Sequence, residues 1–164
     1  MRWAYLDNNA TTAVAPEVTE AMLPFLTEHY GNPSSMHAFG GGVGKHVDEA
    51  RGRVAALIGA DPSEIVFTSC GTEGDNAAIM GTLTARPTKR RIVTTRVEHP
   101  AVRTLARRLG KRGFDLYELH VDRKGMLDLD EVREAITEET AIVTVMHANN
   151  ETGVVFPVEQ IAEI

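Results

Sequence analysis

The stretch at residues 67–78 constrains the fold more than any other part of the sequence. The apolar, β-branched run at 64–68 follows the turn pair Asp61 and Pro62, which predicts a buried strand. Alanines and apolar residues at helical spacing then predict a helix over 76–83. A helix that starts after a tight turn presents unpaired N–H groups and the positive end of its dipole, and hydroxyls at Ser69 and Thr72 add donors, so a phosphate can bind there. Many such joins bind nothing and use Ser, Thr and Gly only as cap and turn.

Strand and helix patterns alternate along the rest of the chain. The predicted strands cover residues 64–68, 92–95, 114–119 and 141–146. The predicted helices begin at Pro16, at about Met36 with a stop at Gly59, at Asn76, at Pro100 with a stop near Gly110, and after Asp128 with Glu131 in a capping box. This order predicts an α/β fold with a mainly parallel sheet and helices on both faces. Ligands of such sheets bind at the carboxyl ends of the strands.

Composition excludes several classes of protein. With 164 residues, 43% of them hydrophobic, the chain can bury a core. A formal net charge of −6 argues against general binding of nucleic acid or an anionic membrane, and the sequence has no apolar run that predicts a membrane span or a signal peptide. The single cysteine excludes an internal disulfide framework. We therefore predict a cytoplasmic protein.

One region departs from the acidic balance. Residues 86–112 contain ten Lys and Arg residues, and Arg103, Arg107 and Lys111 share one face of the predicted helix. The simpler interpretation is a solvated face. The alternative is a binding patch for an acidic partner.

Three polar loops, at 69–75, 96–100 and 147–153, lie at the predicted carboxyl ends of strands. The first offers phosphate donors, the second His99, and the third Asn149 and Asn150. An imidazole can stack on a flat ring or move a proton, and an amide can donate to a phenolate or carboxylate. A ligand with a phosphate at one end and an aromatic ring at the other would span the loops, although an isolated histidine at a helix start is more often a cap or a surface residue. The remaining histidines lack metal-ligand spacing, so we predict no metal site.

Five segments carry a family resemblance. They are YLDNNATT at 5–12, GNPSSMH at 31–37, FTSCGTE at 67–73, VEHPAV at 97–102 and ANNETG at 148–153. In this order and spacing they resemble the motifs of NifS/IscS-type cysteine desulfurases, which are fold-type I pyridoxal 5'-phosphate enzymes related to class V aminotransferases. The resemblance implies an N-terminal arm at 1–15, followed at 16–164 by the N-terminal part of the cofactor-binding large domain.

The resemblance also implies roles for four residues. Gly71 and Thr72 would bind the phosphate of pyridoxal phosphate. His99 would stack on its ring and assist proton transfers as the catalytic residue of this part, and Asn150 would bond near the ring hydroxyl and the substrate carboxylate. Gly74 departs from the serine common at its position.

By the same resemblance, the Schiff-base lysine, the acidic partner of the ring nitrogen and the persulfide-forming cysteine would lie beyond Ile164. We therefore expect an N-terminal half that is inactive alone and needs a complementary C-terminal half. The complete protein would be a homodimer that takes sulfur from L-cysteine, gives L-alanine, and passes the sulfur to a scaffold protein for iron–sulfur cluster assembly. Val158 and Ile161 are expected to lack cover, and Cys70 to be a small apolar residue at a strand end rather than a nucleophile.

Two other interpretations remain open. Within the enzyme class, the chain would belong to another class V enzyme, such as a selenocysteine lyase or an aminotransferase. Outside it, a noncatalytic subunit would bind a partner through the same surface.

Overall fold

The computed structural model describes residues 3–164, and the chain divides into two units between Phe67 and Thr68. The first unit contains α1 (Pro16–Thr27), α2 (Ala38–Ile58) and a 3₁₀ helix (Pro62–Glu64). Residues 3–15 contain no helix or strand, and the first two residues of the arm predicted at 1–15 lie outside the described residues. Proline opens α1 at the position where its missing N–H is not needed, and α1 continues through Pro24. Gly59 ends α2 in the left-handed conformation with φ 69°.

The second unit is built on a parallel sheet. Its elements are α3 (Gly71–Ala85), β1 (Arg91–Thr95), α4 (Pro100–Gly110), β2 (Asp115–Leu119), α5 (Leu129–Ala135), β3 (Thr140–Val143) and α6 (Val158–Ala162). The strand order is β2-β1-β3, and both pairings with the central strand β1 are parallel. The prediction at 141–146 was too long at its carboxyl end, although the N–H of Thr144 still donates to the carbonyl of Val93 at 2.9 Å.

Two apolar cores lie on opposite faces of this sheet. Successive residues of a strand point to opposite faces, and Ile92 and Val93 of β1 belong to different cores. The first core joins β1 to α3 and α4 through Ile79, Leu83, Ile92, Val102, Leu109 and Ala141. The second joins it to α5 and α6 through Val93, Leu119, Leu127, Val132, Ala135, Phe156 and Ile161. The predicted arrangement of helices on both faces is confirmed.

The strand predicted at 64–68 was wrong. Its first residue, Glu64, is the last residue of the 3₁₀ helix, and no ladder forms at 65–68 within the described residues. A strand is stable only when a neighbour takes up its backbone groups, and here the Arg51 side chain donates to the carbonyl of Ile65. The apolar run is therefore uncovered rather than buried, with Val66 78% exposed and Phe67 50% exposed.

Two smaller predictions were also wrong. Ile161 is buried, and Val158 packs against the second core, so both have the cover that they were expected to lack. Asp128 caps α5 by accepting from the N–H of Asp130 at 2.9 Å, but Glu131 does not complete a capping box. Its carboxylate instead bonds Nδ1 of His120 at 2.7 Å and accepts from the N–H of the same residue.

No helix among residues 3–164 has the length and apolar character needed to cross a bilayer.

Candidate active site

Two buried side chains join the loops that follow β1 and β3. Oε1 of Glu98 accepts from the N–H of Met146 at 2.8 Å and from the hydroxyl of Thr95 at 3.2 Å. Nδ2 of Asn149 donates to the carbonyl of Val97 at 3.1 Å. These bonds hold the loop that contains His99 against the loop that contains Asn150, at the edge of the sheet where parallel strands place their ligands.

Glu98 is buried, with only 5% of the residue exposed. Burial raises its pKa, and the N–H of Met146 and the hydroxyl of Thr95 oppose that rise, while the charge of Asp75 adds to it. The sequence analysis missed this residue. Its position between a strand end and His99 was visible, but a glutamate in a polar loop gives no local sign of burial.

Asn149 and Asn150 have different surroundings. Asn149 is buried, and its Oδ1 accepts from the N–H groups of Glu151 and Thr152 at 3.0 and 2.9 Å and from the Thr152 hydroxyl at 3.1 Å. It therefore shapes the turn at 149–153. Asn150 is exposed, and its Nδ2 donates to Oε1 of Glu151 at 3.0 Å. Both amides that sequence reasoning selected line the same groove, but only Asn150 is exposed there.

His99 is the N-cap of α4. Its Nδ1 accepts from the N–H of Ala101 at 3.2 Å, so the neutral ring carries its proton on Nε2, which takes no part in the cap. The simple interpretation of His99 as a helix cap is thus correct for one ring nitrogen. The ring also lines two open grooves, so capping leaves it accessible for a second role.

Two open grooves meet at His99. The first, which we call the Asn150 groove, has a volume of about 460 Å³ and is lined by His99, Arg103, Asn150 and Glu151 among others. The second, the Thr72 groove, has a volume of about 380 Å³ and is lined by Thr72, Asn76, His99 and Arg108 among others. The structure therefore brings three of the four predicted site residues to one continuous surface.

The start of α3 carries Gly71 and Thr72. A Cβ atom added at Gly71 would meet nothing within 4 Å, so the approach to its backbone is open. The N–H of Glu73 is the main cause that lowers the pKa of the Cys70 thiol, and the Ser69 hydroxyl and the N–H of Thr72 add to it. The lowered pKa indicates that this helix start stabilises negative charge.

Two details at this helix start differ from expectation, and a third concerns Gly74. The Ser69 hydroxyl donates to the carboxylate of Glu73 at 2.6 Å, so it is not the open donor that was predicted. Cys70 is exposed and follows no strand, so its interpretation as a small apolar residue at a strand end was wrong. A Cβ at Gly74 would lie 3.4 Å from Oγ1 of Thr68, so nothing in the packing excludes a serine there.

Asn76 links the two helix starts. Its Nδ2 donates to the carbonyl of Thr72 at 2.6 Å and reaches the carbonyl of Ala101 at 3.4 Å. It thereby connects the turn of α3 that carries Thr72 to the turn of α4 that follows His99. Sequence analysis missed this role, because the partner at Ala101 is 25 residues away.

These residues fit the group that the resemblance implies. Open amides and a hydroxyl at the start of α3 suit a phosphate, and an accessible imidazole beside an amide suits a flat, polar ring. Among the described residues that line the two grooves there is no lysine. Within residues 3–164, no cluster of three His, Cys, Asp or Glu side chains is placed to hold a metal ion.

Known proteins resemble this chain along nearly its whole length. The model of the family described as aminotransferase class-V matches residues 4–164. Among curated relatives, "Cysteine desulfurase" of Trichormus azollae is 62% identical over 97% of this chain and 40% of its own length. "Cysteine desulfurase NifS" of Azotobacter vinelandii is 52% identical over 98% of this chain and 40% of its own length.

A solved structure titled "NIFS-LIKE PROTEIN" superposes with a TM-score of 0.92 at 42% identity, covering 96% of this chain and 43% of that one. The chain thus spans about two fifths of the length of the relatives that it matches.

Proposed function

Because the chain belongs to the aminotransferase class-V family, we propose that it is the N-terminal part of a cysteine desulfurase that depends on pyridoxal phosphate. The observation that carries the proposal is the meeting of the Thr72 and Asn150 grooves at His99. In the complete protein, the Cβ–S bond of L-cysteine is broken and the sulfur joins an enzyme thiol as a persulfide. The electron pair of the broken bond stays with Cβ, and the proton that the enzyme thiol gives up completes L-alanine. Iron–sulfur cluster assembly on an acceptor scaffold protein is the proposed use of this sulfur.

The residues of this chain would bind the cofactor and orient it. Gly71 and Thr72 would hold the phosphate at the start of α3, where Asn76 fixes that turn relative to α4. His99 would stack on the ring and move a proton at Nε2, because its Nδ1 is taken up by the helix cap. Asn150 would donate its amide to the ring hydroxyl or the substrate carboxylate. Pyridoxal phosphate, when bound, supplies an electron sink for the substrate.

The covalent part of cofactor binding is assigned to the remainder of the protein. None of the lysines in the part that the structure describes lines either groove. We therefore propose that a C-terminal half supplies the lysine and the persulfide cysteine, that the chain alone is inactive, and that the complete protein is a homodimer. A cytoplasmic location stays a prediction from the sequence.

The first test is spectroscopic. Mixed with pyridoxal phosphate, the chain alone is expected to show no borohydride-stable attachment and no absorbance near about 420 nm, the region of lysine-bound cofactor. Addition of the C-terminal complement is expected to produce both. Stable attachment to the chain alone would contradict the division of roles.

The second test uses the assembled protein. His99→Ala is expected to lower the release of alanine from L-cysteine by about tenfold to ten-thousandfold, the range of a lost acid–base group, and to shift the cofactor spectrum. His120→Ala is the matched control, because that histidine lines neither groove. Equal loss in both variants, or faster release of selenium from selenocysteine than of sulfur from cysteine, would overturn the assignment.

A further inference from the structure

The exposed side of α4 carries a concentration of positive charge that the proposed chemistry does not use. We call it the α4 basic face and define it by Arg103, Arg107, Arg108 and Lys111. Together with Thr104 these residues line an open groove of about 450 Å³. Arg103, Arg107 and Lys111 follow one another at intervals of four residues, so they lie in one row along the helix.

Most of this charge has no partner in the described structure. Nε and a terminal nitrogen of Arg107 both lie 3.0 Å from Oε1 of Glu118. Across residues 3–164, no acidic side chain pairs with Arg103, Arg108 or Lys111. Like charges four residues apart destabilise a helix. The chain as a whole is acidic, with a net charge of −6, so this row is not a consequence of general composition.

The stability of α4 explains the positions of only some of these cations. Cations in the last turn are favoured by the helix dipole, which explains Arg107 and Arg108. Arg103 lies near the first turn, where the dipole disfavours a positive charge. Its position is therefore unfavourable for α4 itself and calls for another explanation.

The α4 basic face is continuous with the candidate active site. Arg103 also lines the Asn150 groove, and Arg108 also lines the Thr72 groove. Part of a partner bound to this face would therefore lie beside His99, where the two grooves meet.

We propose that the α4 basic face binds an acidic segment of a partner protein. The row from residue 103 to residue 111 is about 12 Å long at 1.5 Å per residue, which matches about four residues of an extended chain. Arginine can bind a carboxylate through two parallel bonds, so a short run of Asp and Glu suits this row. A long nucleic acid suits it less, because the acidic remainder of the chain repels an extended polyanion.

The test measures binding without cofactor or substrate, so it does not depend on the desulfurase proposal. The probe is a fluorescein-labelled peptide of about eight residues rich in Asp and Glu, compared with the same peptide carrying Asn and Gln. The acidic peptide is expected to bind the whole chain at low ionic strength and to weaken with salt. Arg103→Glu with Lys111→Glu is expected to weaken binding about tenfold or more.

The matched control is Arg123→Glu with Lys124→Glu, which changes the net charge equally at exposed positions away from α4. It is expected to alter binding by less than about twofold. Circular dichroism checks the fold of each variant. If Arg103→Glu with Lys111→Glu is unfolded, Arg108→Gln with Lys111→Gln replaces it. Equal weakening in both pairs would overturn the proposal, as would tighter binding of a single-stranded DNA of the same charge.

Discussion

At the residue scale, Asn149 and Asn150 show how burial divides the roles of two adjacent, identical side chains. Asn149→Ala leaves the partly buried carbonyl of Val97 and two N–H groups of the turn without their partner. We expect the free energy of unfolding to fall by about 2–4 kcal/mol. Asn150→Ala, at an exposed position, is expected to change it by less than about 0.5 kcal/mol. Urea denaturation of the chain measures both.

The same pair should behave in the opposite way toward the cofactor. In the assembled protein, Asn150→Ala is expected to weaken retention of pyridoxal phosphate during dialysis although its fold is intact. Equal losses of stability in the two variants would show that burial does not separate their roles.

Glu98 predicts a pH dependence whose sign follows from its raised pKa. The folded protein holds this proton more tightly than the unfolded chain, so the stability is fully present below the unfolded pKa and is lost as pH rises through the folded pKa. Glu98→Gln removes this loss. We expect the stability that the variant gains over the original protein to grow as pH rises above about 4, the ordinary range of a carboxyl pKa, in urea denaturation.

Glu134→Gln, at an exposed position of α5, serves as its control and should show no such trend. A constant difference between Glu98→Gln and the original chain at every pH would contradict the role given to burial.

Sequence reasoning selected His99, Asn149 and Asn150 because histidine and asparagine in loops at strand ends are chemically distinctive, and the family resemblance singled out Asn150. It could not identify Glu98 or Asn76. Glu98 bonds Met146 at a separation of 48 residues, and Asn76 reaches Ala101 at a separation of 25. Their roles depend on which loops meet, and no local pattern contains that information.

At the element scale, α2 contains two adjacent glycines with different surroundings. A Cβ at Gly40 would lie 2.4 Å from the carbonyl oxygen of Asn32 and 2.6 Å from Cβ of Ser35, whereas a Cβ at Gly41 would meet nothing within 4 Å. Gly41→Ala is therefore expected to stabilise α2 by about 0.5–1 kcal/mol. Gly40→Ala is expected to destabilise it, because backbone must move.

Thermal denaturation followed by circular dichroism at 222 nm, the usual helix signal, compares the two variants. A higher midpoint for both would indicate that the segment before α2 moves aside without cost.

The predicted strands that formed are those that pair with another predicted strand. The apolar runs that became β1, β2 and β3 pair with one another. The run at 64–68 has the same composition but lacks a ladder within the described residues. Periodicity indicates which side chains a strand could bury, whereas pairing depends on a second strand. The five predicted helices, whose hydrogen bonds are local, all formed, although α3 begins at Gly71 rather than at the predicted Asn76.

At the scale of the whole molecule, the first unit leaves much of its apolar surface exposed. Leu26 is 72% exposed and Leu57 is 85% exposed, and only three residues of its two α-helices are buried. Such surfaces favour association. We expect light scattering to give the chain alone a mass above that of a monomer at micromolar concentration, and Leu26→Glu to lower that mass. Met126→Glu, in the second unit, should leave it unchanged. A monomer that unfolds cooperatively would contradict this prediction.

The central place of β1 in the sheet has a consequence for the order of folding. Arg91 pairs with Asp115 on one side and with Thr140 on the other. The connection from β1 to β3 is longer than that from β1 to β2, so closing it costs more chain entropy. Because β3 also leaves the ribosome later, β1 and β2 can pair before β3 arrives. The Glu98–Met146 bond can form only after β3 and the residues that follow it have been made. We expect native-state hydrogen exchange to be slower in β1 and β2 than at 144–153, which would mean that the candidate active site opens and closes while the rest of the unit remains folded.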